Sequence, residues 1–152
     1  MNHAVDREAN RRLEANKATL RRLQEAINTD DVTLLSTTID ELVVPDAQIR
    51  TPLPIDATGP ELLKGVFGRL LQAFPDLRVV STNMIAEGDQ VFSSNTVTGT
   101  NLGKYLGRPP TGALVSYGEM FVVRFADGRI VETSGIVDAP SLMRQLDTAV
   151  VR

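Results

Sequence analysis

The chain has no cysteine, no tryptophan and one histidine, His3, and each scarcity removes a class of chemistry. Without thiols there is no disulfide and no thiolate nucleophile, which suits a cytoplasmic setting. His3 falls in a stretch, residues 1–8, that reads as a frayed tail. A histidine-rich zinc site and a Ser-His-Asp or Cys-His system are therefore excluded. Proton transfer is left to carboxylates, Lys, Tyr, Arg or a group on the substrate. No apolar run approaches the ~20 residues of a membrane span. The opening MNHAVDREANRR has no apolar core and does not read as a signal peptide. The formal net charge of -3 lacks the basic excess that a nucleic-acid surface needs.

The 152 residues, 42% apolar and 23% charged, suit one globular domain, expected over 9–152. From Ala9 to Asn28 the apolar residues Leu13, Leu20, Leu23 and Ile27 mark one helical stripe. Asp30 or Asp31 is placed to cap a second helix, with Leu35, Ile39, Leu42 and Val43 on one face and Pro45 closing it. Residues 47–51 suggest a short strand. Thr58 and Glu61 have capping-box spacing ahead of a third helix, which Pro75 and Asp76 end. The period then changes to two. Residues 77–87, 90–100, 113–125 and 129–138 read as four strands, with Gly88-Asp89 and Asp127-Gly128 as hairpin turns. Asp138 precedes a last helix with Leu142, Met143 and Leu146 inward. Segregated helices and strands predict an α+β fold, a curved, mostly antiparallel sheet wrapped around three helices. Its outer face needs cover, which a homodimer packed sheet to sheet would supply.

Residues 99–138 combine a Gly- and Pro-rich loop, two strands and isolated ionisable groups, a pattern suited to lining a small-molecule pocket. Asp138 is either an N-cap or an acid/base group. Arg124 is either a strand-end surface residue or a binder of an enolate oxygen. Glu132 reads first as a surface salt bridge, with pocket lining as the alternative, and a bulge at Gly135 would change its facing relative to Asp138. Asn101 is either a turn residue or a hydrogen-bond partner for a substrate carbonyl. Tyr117 and Glu119 face opposite to Met120 and Arg124. Which set lines the interior is open from sequence. Phe67 and Phe74 are core residues that also suit a cavity wall.

PELLKGVFGRLLQAFPDL, GDQVF, GTNLGKYLGRPPTG, VVRFADGRIVE and D-x(6)-QL, in that order over about residues 20–146, resemble the SnoaL-like polyketide cyclases of the NTF2-like superfamily. The resemblance implies an α+β barrel with an apolar cavity, an aromatic polyketide substrate, no metal and no organic cofactor. It implies ring closure by intramolecular aldol condensation with an Asp as acid/base, a position that Asp138 matches. Arg124 matches a pocket-facing Arg or His. Relatives also include hydroxylases of anthracycline precursors. Two departures stand out. The usual Gly-Thr-His-x-Gly appears with Asn101 in place of His, and the usual Trp after Glu132 is absent. They favour altered chemistry, a hydroxylase served by a separate reductase, over the usual cyclase. A non-catalytic binding module is the further alternative.

Overall fold

The computed structural model describes residues 3–150. The elements are α1 (His3–Ile27), α2 (Val32–Leu42), β1 (Val43–Ile49), α3 (Gly59–Ala73), β2 (Arg78–Glu87), β3 (Gln90–Thr100), β4 (Leu114–Ala126), β5 (Arg129–Val137) and α4 (Ala139–Val150). One five-stranded sheet has the order β1-β5-β4-β3-β2, parallel between β1 and β5 and antiparallel elsewhere. The predicted α+β architecture holds, with the four predicted strands within a residue or two of their expected ends.

Four local expectations are corrected. Residues 3–8 of the expected tail are helical, supported by Arg7 donating to the His3 carbonyl and by the Glu8–Arg11 pair; residues 1–2 lie outside the described residues. The second helix stops at Leu42, three residues before Pro45, because the chain there turns into β1 to pair with β5. The capping box is not made: Thr58 makes no side-chain cap bond, and Glu61 instead accepts from Lys64, which also pairs with Asp40 at 2.8 Å. The β5 irregularity lies between Ile130 and Glu132, not at Gly135. Gly135 answers a different need, since a Cβ there would stand 2.2 Å from the Met120 carbonyl oxygen and 2.6 Å from the Phe121 ring. Asp31 does cap α2, accepting from the Leu34 N–H at 2.9 Å.

The core lies between the helices and one face of the sheet. Leu20, Leu23 and Ile27 of α1 and Ile39 of α2 meet Val79, Val91, Val97, Val115 and Val123, with Leu142 and Leu146 of α4 closing one end. On β3 and β4 the odd-numbered residues face this concave side and the even-numbered ones face out. Two amides finish exposed strand edges. Asn28 exchanges two hydrogen bonds with the backbone of Val79, at 2.8 and 2.9 Å. Gln145 does the same with Ser116, at 2.8 and 2.9 Å, on the stretch of β4 that β5 leaves unpaired. Each mimics a neighbouring strand and satisfies backbone groups that would otherwise stay open.

The 101–112 loop is fastened around Asn101, which is 1% exposed. Its Oδ1 accepts from the Thr111 N–H and hydroxyl at 2.8 and 3.0 Å, and its Nδ2 donates to the Gly103 carbonyl at 2.9 Å. The Leu102 and Gly103 N–H groups both donate to the Ala73 carbonyl, at 3.0 and 3.2 Å. Two further ties sit beside it. Asp76 accepts from the Thr100 N–H at 2.6 Å and hydroxyl at 2.7 Å, which holds its carboxyl below the ordinary aspartate range. Arg78 forks onto Asp30 at 2.7 and 3.0 Å, tying β2 to the turn between α1 and α2.

Two stability results follow from these ties. Asn101→Ala removes a buried, fully bonded amide and is expected to lower unfolding free energy by about 1–3 kcal/mol in urea titration. The Asp76 carboxyl has a lower pKa folded than unfolded. Its contribution is complete above the unfolded value and is lost as pH falls through the folded one. Asp76→Asn is therefore expected to flatten the decline in unfolding free energy below about pH 4, with little change in that slope near neutrality.

Candidate active site

The unbroken pairing of β3 with β4 lays a row of inward residues across the sheet: Ser81 on β2, Asn95 on β3, Glu119 on β4 and Val137 on β5. Glu119 is the only carboxyl group among the inward residues of β2 to β5. It is partly buried and keeps solvent access, as do its neighbours Phe121 and Val137. Phe121 sits two residues along β4, Tyr117 two residues the other way, and Gly135 lies beneath the Phe121 ring.

Asn95 donates through Nδ2 to Glu119 Oε1 at 3.0 Å. The Asn95 Oδ1 in turn lies 2.6 Å from Ser93 Oγ, 3.0 Å from Ser81 Oγ and 3.3 Å from Gln24 Nε2. Gln24 comes from α1, so helix and sheet meet through polar atoms at this point as well as through Leu20 and Leu23. Every fully buried side-chain polar atom among the described residues has a partner.

Burial pushes the Glu119 carboxyl above its ordinary range, and the Asn95 N–H acts in the opposite direction. Burial also raises the Tyr117 hydroxyl far up, helped by the nearby Glu119 charge. Tyr117 therefore stays neutral, while Glu119 holds its proton more tightly than an exposed glutamate does.

The residues singled out from sequence are mostly elsewhere. Asp138 is exposed; its Oδ1 accepts from the Ser141 N–H at 3.1 Å, so it caps α4. The alternation that turns Glu119 and Val137 inward turns the neighbouring Asp138 away, so it does not take the acid/base position. Arg124 is exposed on the convex face, directly across from Glu132, toward the opposite end of β4 from Gly118, whose carbonyl accepts from the Asp138 N–H. The two groups that the family resemblance would set in one pocket are thus separated. Glu132 is also convex, with Arg50 as its ion-pair partner at 3.7 Å. Met120 is exposed on the same face. Asn101 spends its side chain on the loop. Phe74 is fully buried against Tyr105, ring centroids 5.6 Å apart. Phe67 borders a gap of about 30 Å³ between α2 and α3, room for about one water. Of these eight residues only Tyr117 shares the concave face with Glu119.

Sequence reasoning paired Glu119 with Tyr117 but did not choose their side, and it passed over Gln24, Ser81, Ser93 and Asn95. The available signal was parity, which groups Ser93 and Asn95 with Val91 and Val97, and Glu119 with Val115 and Val123, without saying which group faces the helices. A larger cleft, about 650 Å³ and widely open, lies between residues 111–114 and α4. Thr111, Leu114, Ser141, Arg144 and Thr148 border it, and no carboxylate does. Among the described residues no cluster of His, Asp or Glu is arranged to hold a metal ion, and no helix is long and apolar enough to cross a membrane.

Known proteins agree with this architecture. AclR, a candidate hydroxylase from Streptomyces galilaeus, superposes with a TM-score of 0.76 at 27% identity, covering 90% of this chain and 83% of its own. IdmH, a candidate polyketide cyclase from Streptomyces antibioticus, gives 0.72 at 29% identity over 87% and 98%. A candidate SnoaL-like polyketide cyclase from Jannaschia sp. CCS1 gives 0.78 at 26% identity over 88% and 92%. No curated protein matches the chain. The family model for SnoaL-like polyketide cyclases matches residues 17–146, most of the described fold and the whole row from Ser81 to Val137, and the chain belongs to that family.

Proposed function

We propose that the protein is an enzyme acting on an aromatic polyketide of the anthracycline type, with Glu119 as the group that removes a proton from a carbon beside a carbonyl. One observation carries this reading: Glu119 is the single carboxyl on the concave face, partly buried yet reachable. A base raised toward neutrality and positioned at a carbon acid contributes about 10²–10⁴-fold. Phe121, two residues along β4 and only partly buried, offers flat apolar surface suited to a ring system, with the buried Tyr117 behind it in the core.

The enolate or phenolate so formed has two fates. In the first, it is hydroxylated by dioxygen. One oxygen atom enters the new C–O bond, the other leaves as water, and two electrons and two protons come from a separate reductase and solvent. The likeness to AclR supports this fate. In the second, the carbanion attacks an internal carbonyl, a C–C bond forms, and the alkoxide recovers the proton from Glu119. Family membership and the likeness to IdmH support the second. Incubation with an anthracycline precursor, oxygen and reductant separates them by product mass: one added oxygen atom for the hydroxylase, no change or loss of water for the cyclase.

Glu119→Gln is expected to lower kcat by about 10²–10⁴-fold, whereas Asp138→Asn, which keeps the α4 cap, is expected to stay near the parent rate. The reverse result would move the proton transfer to Asp138. Stability moves the other way. An acid whose pKa is higher folded than unfolded binds more protons in the native state, so its ionisation costs stability as pH rises through that interval. Glu119→Gln is accordingly expected to raise the melting temperature at neutral pH and to leave it nearly unchanged in acid.

We further propose that the convex face joins two copies of this chain. Ile85, Phe92 and Val122 share one cross-strand row and Met120 and Ile136 the next; Ile136 is 77% and Met120 56% exposed. Arg124 and Glu132 lie on the same face, so it carries both signs and can complement itself across a two-fold axis. Ile136→Asp is expected to halve the mass measured by light scattering without loss of fold.

A further inference from the structure

The Asn95 amide has unequal surroundings at its two ends. At Oδ1 stand the Ser93 hydroxyl at 2.6 Å, the Ser81 hydroxyl at 3.0 Å and the Gln24 amide nitrogen at 3.3 Å. At Nδ2 stands Glu119 Oε1 at 3.0 Å. Asn95 is 6% exposed and Ser93 1%, so solvent cannot substitute for these partners. Turning the amide over would set its NH₂ against the Gln24 NH₂ and its oxygen against a carboxylate. Both contacts are unfavourable in a low-dielectric interior.

We propose that Asn95 is a positioning residue for the reaction assigned above: locked by Gln24, Ser81 and Ser93, it presents one fixed N–H to Glu119, which aims the carboxylate and favours its ionised form. This rests on the reading of Glu119 as the base. The lock matters because an amide free to turn could offer either its N–H or its carbonyl. A carbonyl would favour the protonated acid, which cannot accept a proton from substrate. Fixing Oδ1 from three sides removes that choice. The free oxygen, Oε2, is left for the substrate.

No charged group competes for Glu119. On its own strand the titratable neighbour is Tyr117, which remains neutral. Tyr105 of the 101–112 loop, also raised by burial, stands near Tyr117. The inward residues of β3 and the facing Val137 of β5 carry no charge. From α1 the residue that reaches the cluster is the neutral Gln24, and Lys17 of that helix is paired with Glu14 at 2.8 Å. The balance at Glu119 is therefore between burial and one donated hydrogen bond, so removing that bond has a predictable sign.

The test is the ionisation of Glu119 itself, followed by carboxyl carbon NMR of glutamate-labelled protein, the signal assigned by its absence in Glu119→Gln. In Asn95→Ala the Glu119 midpoint is expected to rise. The acid limb of the kcat/KM profile moves to higher pH with it, with a loss of roughly tenfold below the midpoint and recovery on the alkaline plateau. Ser93→Ala, which loosens the lock and keeps the amide, is expected to shift both in the same direction by less. It also serves as the test should Asn95→Ala not fold. An unchanged or lowered midpoint in the folded variant overturns the inference. Loss of activity in Glu119→Gln together with an unmoved midpoint would sink the role of Asn95 and keep Glu119 as the base. A raised midpoint together with full activity in Glu119→Gln would keep the effect of Asn95 on Glu119 ionisation but remove both residues from the reaction.

Discussion

The register of β3 on β4 is the constraint from which the rest of this molecule follows. It runs without interruption from the Gln90–Arg124 pair to the Thr100–Leu114 pair. A slip of one residue would turn one of the two strands over relative to the other. Either Glu119, or Ser93 and Asn95, would then stand outside, and the Asn95–Glu119 pair would be lost. The Asp127-Gly128 turn, with both residues at positive φ, sets the next hairpin, and Asp76 on Thr100 sets the far end of β3. A charged residue at one strand end, a turn at the other and a core of valines between them agree on one alignment.

That alignment places a polar row inside an otherwise apolar half-barrel. A buried row of this kind destabilises a fold unless each member is bonded. Here Ser81, Ser93, Asn95 and Gln24 satisfy one another, and the one unshared group, the second oxygen of Glu119, has access to solvent. The molecule thus holds a carboxyl in surroundings that cost it stability when ionised, a pattern expected where a group is kept for its chemistry. The single carboxyl of the concave face, with the partly buried Phe121 two residues along β4, makes that face a more coherent site than the open cleft beside α4, which has no acid or base except the exposed Arg144.

The two faces of the sheet divide the work. The concave face carries the core and the polar row. The convex face carries Ile85, Phe92, Met120, Val122 and Ile136 together with Arg124 and Glu132, a surface suited to another copy of the chain. Local ties keep these roles separate: Asp138 is spent on the start of α4, Gln145 on the bare edge of β4, and Asn101 on the loop that follows β3. Three residues whose chemistry resembles catalytic machinery are thereby occupied in holding elements together.

Much of this was legible in the chain itself. Period-two runs from Arg78 to Asp138, the Asp-Gly turn, the FPD sequence after α3 and the Gly-Pro loop carry their structure in local chemistry, and the family resemblance rests on the same segments. Parity along β4 even sorted Tyr117 and Glu119 from Met120 and Arg124. What sequence could not settle is which parity faces the helices, because Val115, Tyr117, Phe121 and Val123 are scarcely more apolar than Leu114, Met120 and Val122. Nor could it bring Gln24, seventy residues away, onto Asn95. Only tertiary packing decided these points. Facing is a property of the register shared by four strands, and α1, having chosen the side that buries Leu20, Leu23 and Ile27, made that side the interior and Glu119 the only carboxyl among the inward residues of β2 to β5.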